Sequence, residues 1–154
     1  MNFSPSFSED VFKNAGHFFR VDDLNCAESV LKAILVSAQA PCTPEMLALA
    51  KGFGRGMNAG CACGALAGGV MALGSLLGGR SKEADKLCKA LTQRYHDAFK
   101  QANGATCCRV LHRGLAFGTT EQLAACAKRT ENAARILAQI LAGAAAEINS
   151  LGIC

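Results

Sequence analysis

What this chain lacks narrows it quickly. No long stretch of its 154 residues alternates apolar and polar with period two, and its three prolines all lie before residue 45. Half-buried strands need that alternation, so no sheet is expected. Charged residues make up 18% against 51% hydrophobic, which excludes disorder as the resting state. The net charge of +4 is small and scattered, so no nucleic-acid partner is read from it. Nor does a Cys-x-x-Cys occur anywhere. Its absence removes the thioredoxin-type motif, the zinc knuckle and the c-type haem attachment. Ferredoxin spacings are missing as well. With no Ser-His-Asp set, phosphate loop or paired-carboxylate site, neither a hydrolase nor a kinase is expected. Whether the chain is an enzyme at all stays open. Met1 to Asp10 has no basic n-region and no apolar h-region. We therefore expect no secretory signal and a reducing, cytoplasmic setting.

What the chain does have is cysteine and glycine: nine of the first and 16 of the second. Nine is odd, so complete internal pairing is impossible. In a reducing compartment such thiols serve metal or redox chemistry more often than structural bridges, and the remainder act as small buried hydrophobes. The length suits one domain spanning residues 1–154.

Helical signals run throughout. Ser6 and Glu9 have capping-box spacing ahead of Val11, Phe12 and Phe19. Asp22, Asp23 and Asn25 offer caps for a helix from about Cys26 to Gln39, and Thr43-Pro44-Glu45 starts another that ends near Gly52. Gly52 to Gly60 reads as a loop. From Gly56 to Gly79 there are 24 residues without a charge, eight of them glycine. Length alone would admit a membrane span. A helix apolar all round is also the mark of a central buried helix, and that is the reading preferred. Gly60, Gly64, Gly68 and Ala72 would give it one smooth face, as able to serve a homodimer as a monomer. An amphipathic helix over Ser81 to Ala102 carries Leu87, Leu91, Tyr95 or Ala98, and Phe99. A short one follows over Cys107 to Leu115, and a last one runs from Thr120 to about Asn149. The fold class is therefore all-α, a multi-helix bundle around a central Gly/Ala-rich buried helix.

Cys26, Cys61, Cys63, Cys107, Cys108 and Cys126 sit near helix starts or glycine-rich turns. Helix N-termini favour thiolate, the form that ligates metal or attacks disulfides. Cys61 and Cys63 would point about 200° apart on one helix, and Cys107 and Cys108 about 100° apart. Both members of the first pair serve one metal only if their helix begins near Gly60. Otherwise one faces the site and the other packs. His112, four residues after Cys108, could share its helix face, although a surface or satisfied histidine is the simpler reading. His17 and His96 have no cysteine at helical spacing. Arg109 is either a solvated charge or a cation beside Cys108. Nothing local activates Cys42, Cys88 or Cys154, which are taken as spectators.

These residues carry a resemblance. The segment GCACGALAGGVMALGSLLGG resembles the signature of the C-GCAxxG-C-C family of redox-active proteins, its core met by Cys63, Gly64, Ala65 and Gly68. Upstream, Asn25-Cys26-Ala27 matches the family's Asn-Cys-Ala. Cys108, Arg109 and Leu111 match its Cys-Arg-x-Leu, and Cys126 precedes a matching helix through Ala133, Ala134, Ile136 and Leu137. The resemblance implies redox activity centred on Cys26, Cys63, Cys108 and Cys126. A related domain occurs beside haems in split-Soret cytochromes, where it resembles an iron–sulfur carrier. Without a haem motif here, no haem is carried over. The extra Cys61 and Cys107 adjoin family positions and leave the ligand set open.

Three readings follow. In the first, an iron–sulfur cluster, expected as [2Fe-2S], is held by Cys26, Cys63, Cys108 and Cys126 in an electron carrier with a redox partner protein. Converging thiolates in a dry bundle need a compensating cation, and glycines beside Cys63 would leave it room. In the second, those thiols pair reversibly without metal, with Cys61 or Cys107 resolving. A zinc-binding structural or carrier module is the third.

Overall fold

The computed structural model describes residues 3–152, and Cys154 lies outside them. Among these residues there are eight α-helices and no strand. They are α1 (Phe7–Arg20), α2 (Cys26–Ser37), α3 (Pro44–Lys51), α4 (Gly64–Leu77), α5 (Lys82–Asn103), α6 (Cys108–Leu111), α7 (Thr120–Gly143) and α8 (Ala145–Ser150). None is long and apolar enough to cross a membrane.

Caps set most of the starts. Asn25 accepts from the amides of Ala27 and Glu28 at 2.9 and 3.1 Å, and Glu28 returns a bond to the Asn25 amide at 3.0 Å, closing a capping box on α2. Thr43, Ser81 and Thr119 cap α3, α5 and α7 through their hydroxyls. Ser6 does not form the box its spacing suggested; its hydroxyl donates to Asp10 at 2.7 Å instead. The last helical run is also broken. It stops at Gly143, and Ala144 turns the chain into α8.

Two helices organise the core. On α2, Cys26 to Val30, Leu31, Ala33, Ile34 and Leu35 are all buried, and the helix packs on α1, α3, α4 and α7. α4 is the Gly/Ala-rich buried helix, lodged against α2, α5 and α7, with Val70 and Gly74 on its exposed edge. A side chain at Gly68 would run into the backbone of Ala27, and one at Gly69 into the Tyr95 ring. The glycines therefore let α4 approach α2 and α5 closely. Tyr95, fully buried, donates its hydroxyl to the Ala65 carbonyl at 3.1 Å, so the α5 face runs through Tyr95 rather than Ala98. Because this stripe is covered by the chain's own α2, it carries no argument for a homodimer.

Gly68 and Gly74 provide opposite tests of that packing. Gly68→Ala should lower stability by about 1–3 kcal/mol through overpacking. Gly74→Ala, whose new methyl meets nothing within 4 Å, should leave it unchanged or raise it by up to ~1 kcal/mol. Urea midpoints of the two variants against the parent decide it, and equal shifts would contradict the close approach.

Candidate functional site

The segment between α3 and α4 is not a loose loop. Arg55, Gly56, Met57 and Asn58 have φ of 53°, 63°, 59° and 53°, a full left-handed turn closed by the Cys61 amide donating to the Gly56 carbonyl at 3.0 Å. For L residues that conformation costs ~1–2 kcal/mol each, least for Asn. Strain of this kind persists where surroundings over-determine it. Here a Cβ on Gly56 would lie 2.7 Å from that of Cys108, so the turn presses directly on a cysteine.

A two-bond clasp then joins distant segments. The Cys108 amide donates to Cys61 at 2.6 Å and the Cys63 amide to Thr106 at 2.8 Å, flanking a bridge between Ala62 and Cys107. The entries to α4 and α6 are thereby fixed side by side. Cys63 is the residue before α4, Cys108 opens α6, Cys26 opens α2, and Cys126 lies in the second turn of α7. These four line one cavity of about 540 Å³. Gly64 makes part of the room, since a Cβ there would stand 2.5 Å from the Cys26 sulfur.

Cys61 and Cys107 do not join them. α4 begins at Gly64 rather than Gly60, so Cys61 is on a different run of backbone from the helix and faces solvent. Cys107 directs its thiol to the Gly60 carbonyl at 3.1 Å. Cys42 and Cys88 also lie away from the cavity lining. Arg109 is exposed and bonds the Ala59 carbonyl at 2.9 Å. The cations acting on the thiols are instead Arg129, which favours the thiolates of Cys63, Cys108 and Cys126, and Arg55, which favours that of Cys126.

Burial governs the thiols more strongly than their helix starts do. It pushes Cys26 up to about 12, aided by the neighbouring charges of Cys63 and Cys126 and opposed by the Arg55 amide. Cys108 rises to about 11 for the same reasons, burial first and then Cys63 and Cys126. Burial also raises Cys63 and Cys126. For Cys63, no cap hydrogen bond forms, but the first-turn amides of Ala65 and Leu66 offset part of the rise. The expectation of thiols activated by helix N-termini is therefore reversed. Desolvation of the charged form exceeds what a few amide dipoles return.

Sequence reasoning missed a polar wall. Gln122, Cys126, Arg129 and Thr130 recur at helical spacing along α7, and all face the cavity. That polar stripe, set in a helix with a buried apolar side, was the available signal. Gln122 donates to the Cys126 sulfur at 3.0 Å. His112 is neither on the surface nor satisfied: α6 ends at Leu111, and the ring turns inward, with Nε2 at 3.2 Å from the Cys126 sulfur and 3.0 Å from Arg129. Burial, then Arg129, lowers its pKa.

Helices that surround one cysteine-lined, arginine-bearing cavity define a class of small all-α thiol proteins. Residues 24–140 match the family model described as "Putative redox-active protein (C_GCAxxG_C_C)". The chain belongs to that family. No curated protein and no solved structure matches it.

The raised Cys26 gives a pH test on the metal-free, reduced protein. An unfolded thiol loses its proton near its ordinary 9.0, while folded Cys26 keeps it to about 12. Between those values the folded state binds more protons, so stability, complete below pH 9, must fall as pH rises. The slope should be ~1.4 kcal/mol per pH unit for this one proton, and Cys26→Ala should remove that increment. Denaturant titrations at several pH values measure it; identical slopes in parent and variant would refute the assignment.

Proposed function

We propose that Cys26, Cys63, Cys108 and Cys126 hold an iron–sulfur cluster, a [2Fe-2S] core, and that the protein is an electron carrier serving a redox partner protein in a reducing cytoplasm. One observation carries this reading: four thiols from four separate segments line a single cavity of about 540 Å³. A bound cluster would supply one-electron chemistry there.

The donor set fits such a group. Four thiols that share a cavity, three of them buried and Cys126 half-buried, repel one another once ionised, and a cationic core offsets that repulsion. Arg55 and Arg129 line the same space and favour the ionised form of Cys126. Amides of Arg55, Ala65 and Leu66 face sulfur, an environment that tunes cluster potentials.

Zinc makes a stricter demand on the donor set. A zinc ion draws four ligands to one point at about 2.0–2.3 Å. Among the described residues, no three His, Cys, Asp or Glu side chains are grouped to hold one ion. A two-iron core takes two thiolates on each iron and so spreads its four ligands round a larger space. Thiol–disulfide exchange has less support, because thiolate is the nucleophile and burial keeps Cys26 and Cys108 protonated at neutral pH.

Anaerobic purification, a visible spectrum, and iron and labile-sulfide assays test the proposal on one sample. Iron with sulfide, and absorption lost in Cys63→Ser but kept in Cys88→Ser, is the expected result. Zinc without colour, or no metal with thiols that pair on oxidation, would overturn it. Full cofactor content in Cys63→Ser would overturn the ligand assignment.

A further inference from the structure

The cavity holds a second set of groups that the thiols do not use. Among the described residues, three buried side-chain atoms have no hydrogen-bond partner: His112 Nδ1, Arg129 Nε and Thr130 Oγ1. All three residues line the cavity. Thr130 is wholly buried and His112 is 4% exposed. An unmet polar group in such a place costs about 1–3 kcal/mol, so three of them at one cavity ask for a ligand.

Their chemistry has one sign. Arg129 Nε–H can only donate. The guanidinium Nη1 lies 3.0 Å from His112 Nε2 and also only donates, so Nε2 is the acceptor and the ring proton resides on Nδ1. That leaves Nδ1 a donor too. Thr130 adds a hydroxyl that donates equally well. Among the described residues no carboxylate pairs with Arg129 or Arg55, and Asp23 is the cavity's one acid. Arg20, also on the lining, is paired with Glu131. The free donors therefore sit in a positive field and lack acceptors.

Room is available as well. Four inorganic atoms at ~30 Å³ each, the share of a water in the liquid, fill on the order of 100 Å³. The cavity is about 540 Å³, within the range of small-molecule sites. Phe19, Phe117 and Leu123 supply apolar parts of its wall.

We infer that this cavity binds a small anion bearing oxygen acceptors, a carboxylate or an inorganic oxyanion, on Arg129, His112 and Thr130 beside the four cysteines. The site goes beyond the electron-carrier reading and does not require the cluster.

The test uses the reduced, metal-free full chain, so that iron and sulfide content judges the cluster separately. Acetate, inorganic phosphate and sulfate are titrated one at a time at fixed ionic strength while NMR follows the His112 ring and the Thr130 amide. At least one probe should give saturable one-to-one shifts at both residues, with a dissociation constant of about 1 mM or tighter. Acetate ahead of the others marks a carboxylate site; phosphate or sulfate ahead marks an inorganic one. Arg129→Gln should weaken binding about tenfold or more, as loss of a charge-assisted pair does. Thr130→Val, of equal shape, should weaken it, and Thr130→Ser should restore it. Amide spectra that overlay the parent's away from the cavity verify the fold. No saturable shift with any probe would mean that water alone satisfies these donors, and binding unaffected by both Arg129→Gln and Thr130→Val would place it elsewhere; either result overturns the inference.

Discussion

Four thiols share one cavity, three of them buried and Cys126 half-buried, and the rest of the site is arranged around the cost of that sharing. A buried thiolate is expensive, and a second one nearby makes it more so. Cys26 shows the consequence most plainly, its proton retained to about 12. The first-turn amides of α4, the Arg55 amide and the guanidinium of Arg129 act in the opposite direction, yet burial outweighs them. The balance changes only if a positive group enters among the sulfurs. Binding such a group must then release protons, which makes its affinity depend on pH.

Bringing the sulfurs together also constrains the backbone. The left-handed turn at Arg55–Asn58 costs several kcal/mol on a scale of ~1–2 per residue, and no local propensity repays it. Its position is held by neighbours: the Asn25 amide side chain bonds the Lys51 carbonyl at 3.0 Å on one side, and the Cys61 amide closes the turn on the other. The core that stabilises the fold lies mainly elsewhere, where Val11, Ile34, Leu73 and Leu137 are fully buried. Stability from α1, α2, α4 and α7 thus supports a strained, polar region at one end of the bundle. Gly64 stands between the two regions, because a Cβ there would meet both the Cys26 sulfur at 2.5 Å and the Phe53 carbonyl at 2.7 Å.

Much of this was legible in the chain because caps and helical periodicity are local. Asn25, Thr43 and Ser81 mark their helices without reference to anything distant. Ser6 misled because Asp10, one turn on, competes for its hydroxyl. The family motifs singled out Cys26, Cys63, Cys108 and Cys126, which the structure brings to one cavity, but left the adjoining Cys61 and Cys107 open. Spacing alone could not place those two, since the side a cysteine faces depended on where α4 begins. The left-handed turn was hidden for a different reason: glycines announce flexibility, but Arg55 and Met57 gave no sign of positive φ. His112 was weighed only as a partner of Cys108 or as a satisfied histidine, because its turn toward Cys126 and Arg129 depends on α6 ending at Leu111.

The two halves of the cavity meet at Cys126. Its sulfur receives the Gln122 amide at 3.0 Å and stands 3.2 Å from His112 Nε2, which in turn faces Arg129 at 3.0 Å. Any change in charge on that sulfur alters the demand on the same guanidinium that the inferred anion would use. A thiolate at Cys126 draws on Arg129, and so does an anion at its Nε. The two therefore compete for one positive charge while both gain from the low-dielectric walls. Thermodynamic linkage makes the effect mutual: whatever a charge at the thiols does to anion affinity, the anion does equally to the energy of that charge. In a family described as redox-active, this shared arginine is a direct physical route by which a bound anion would shift the behaviour of the cysteines.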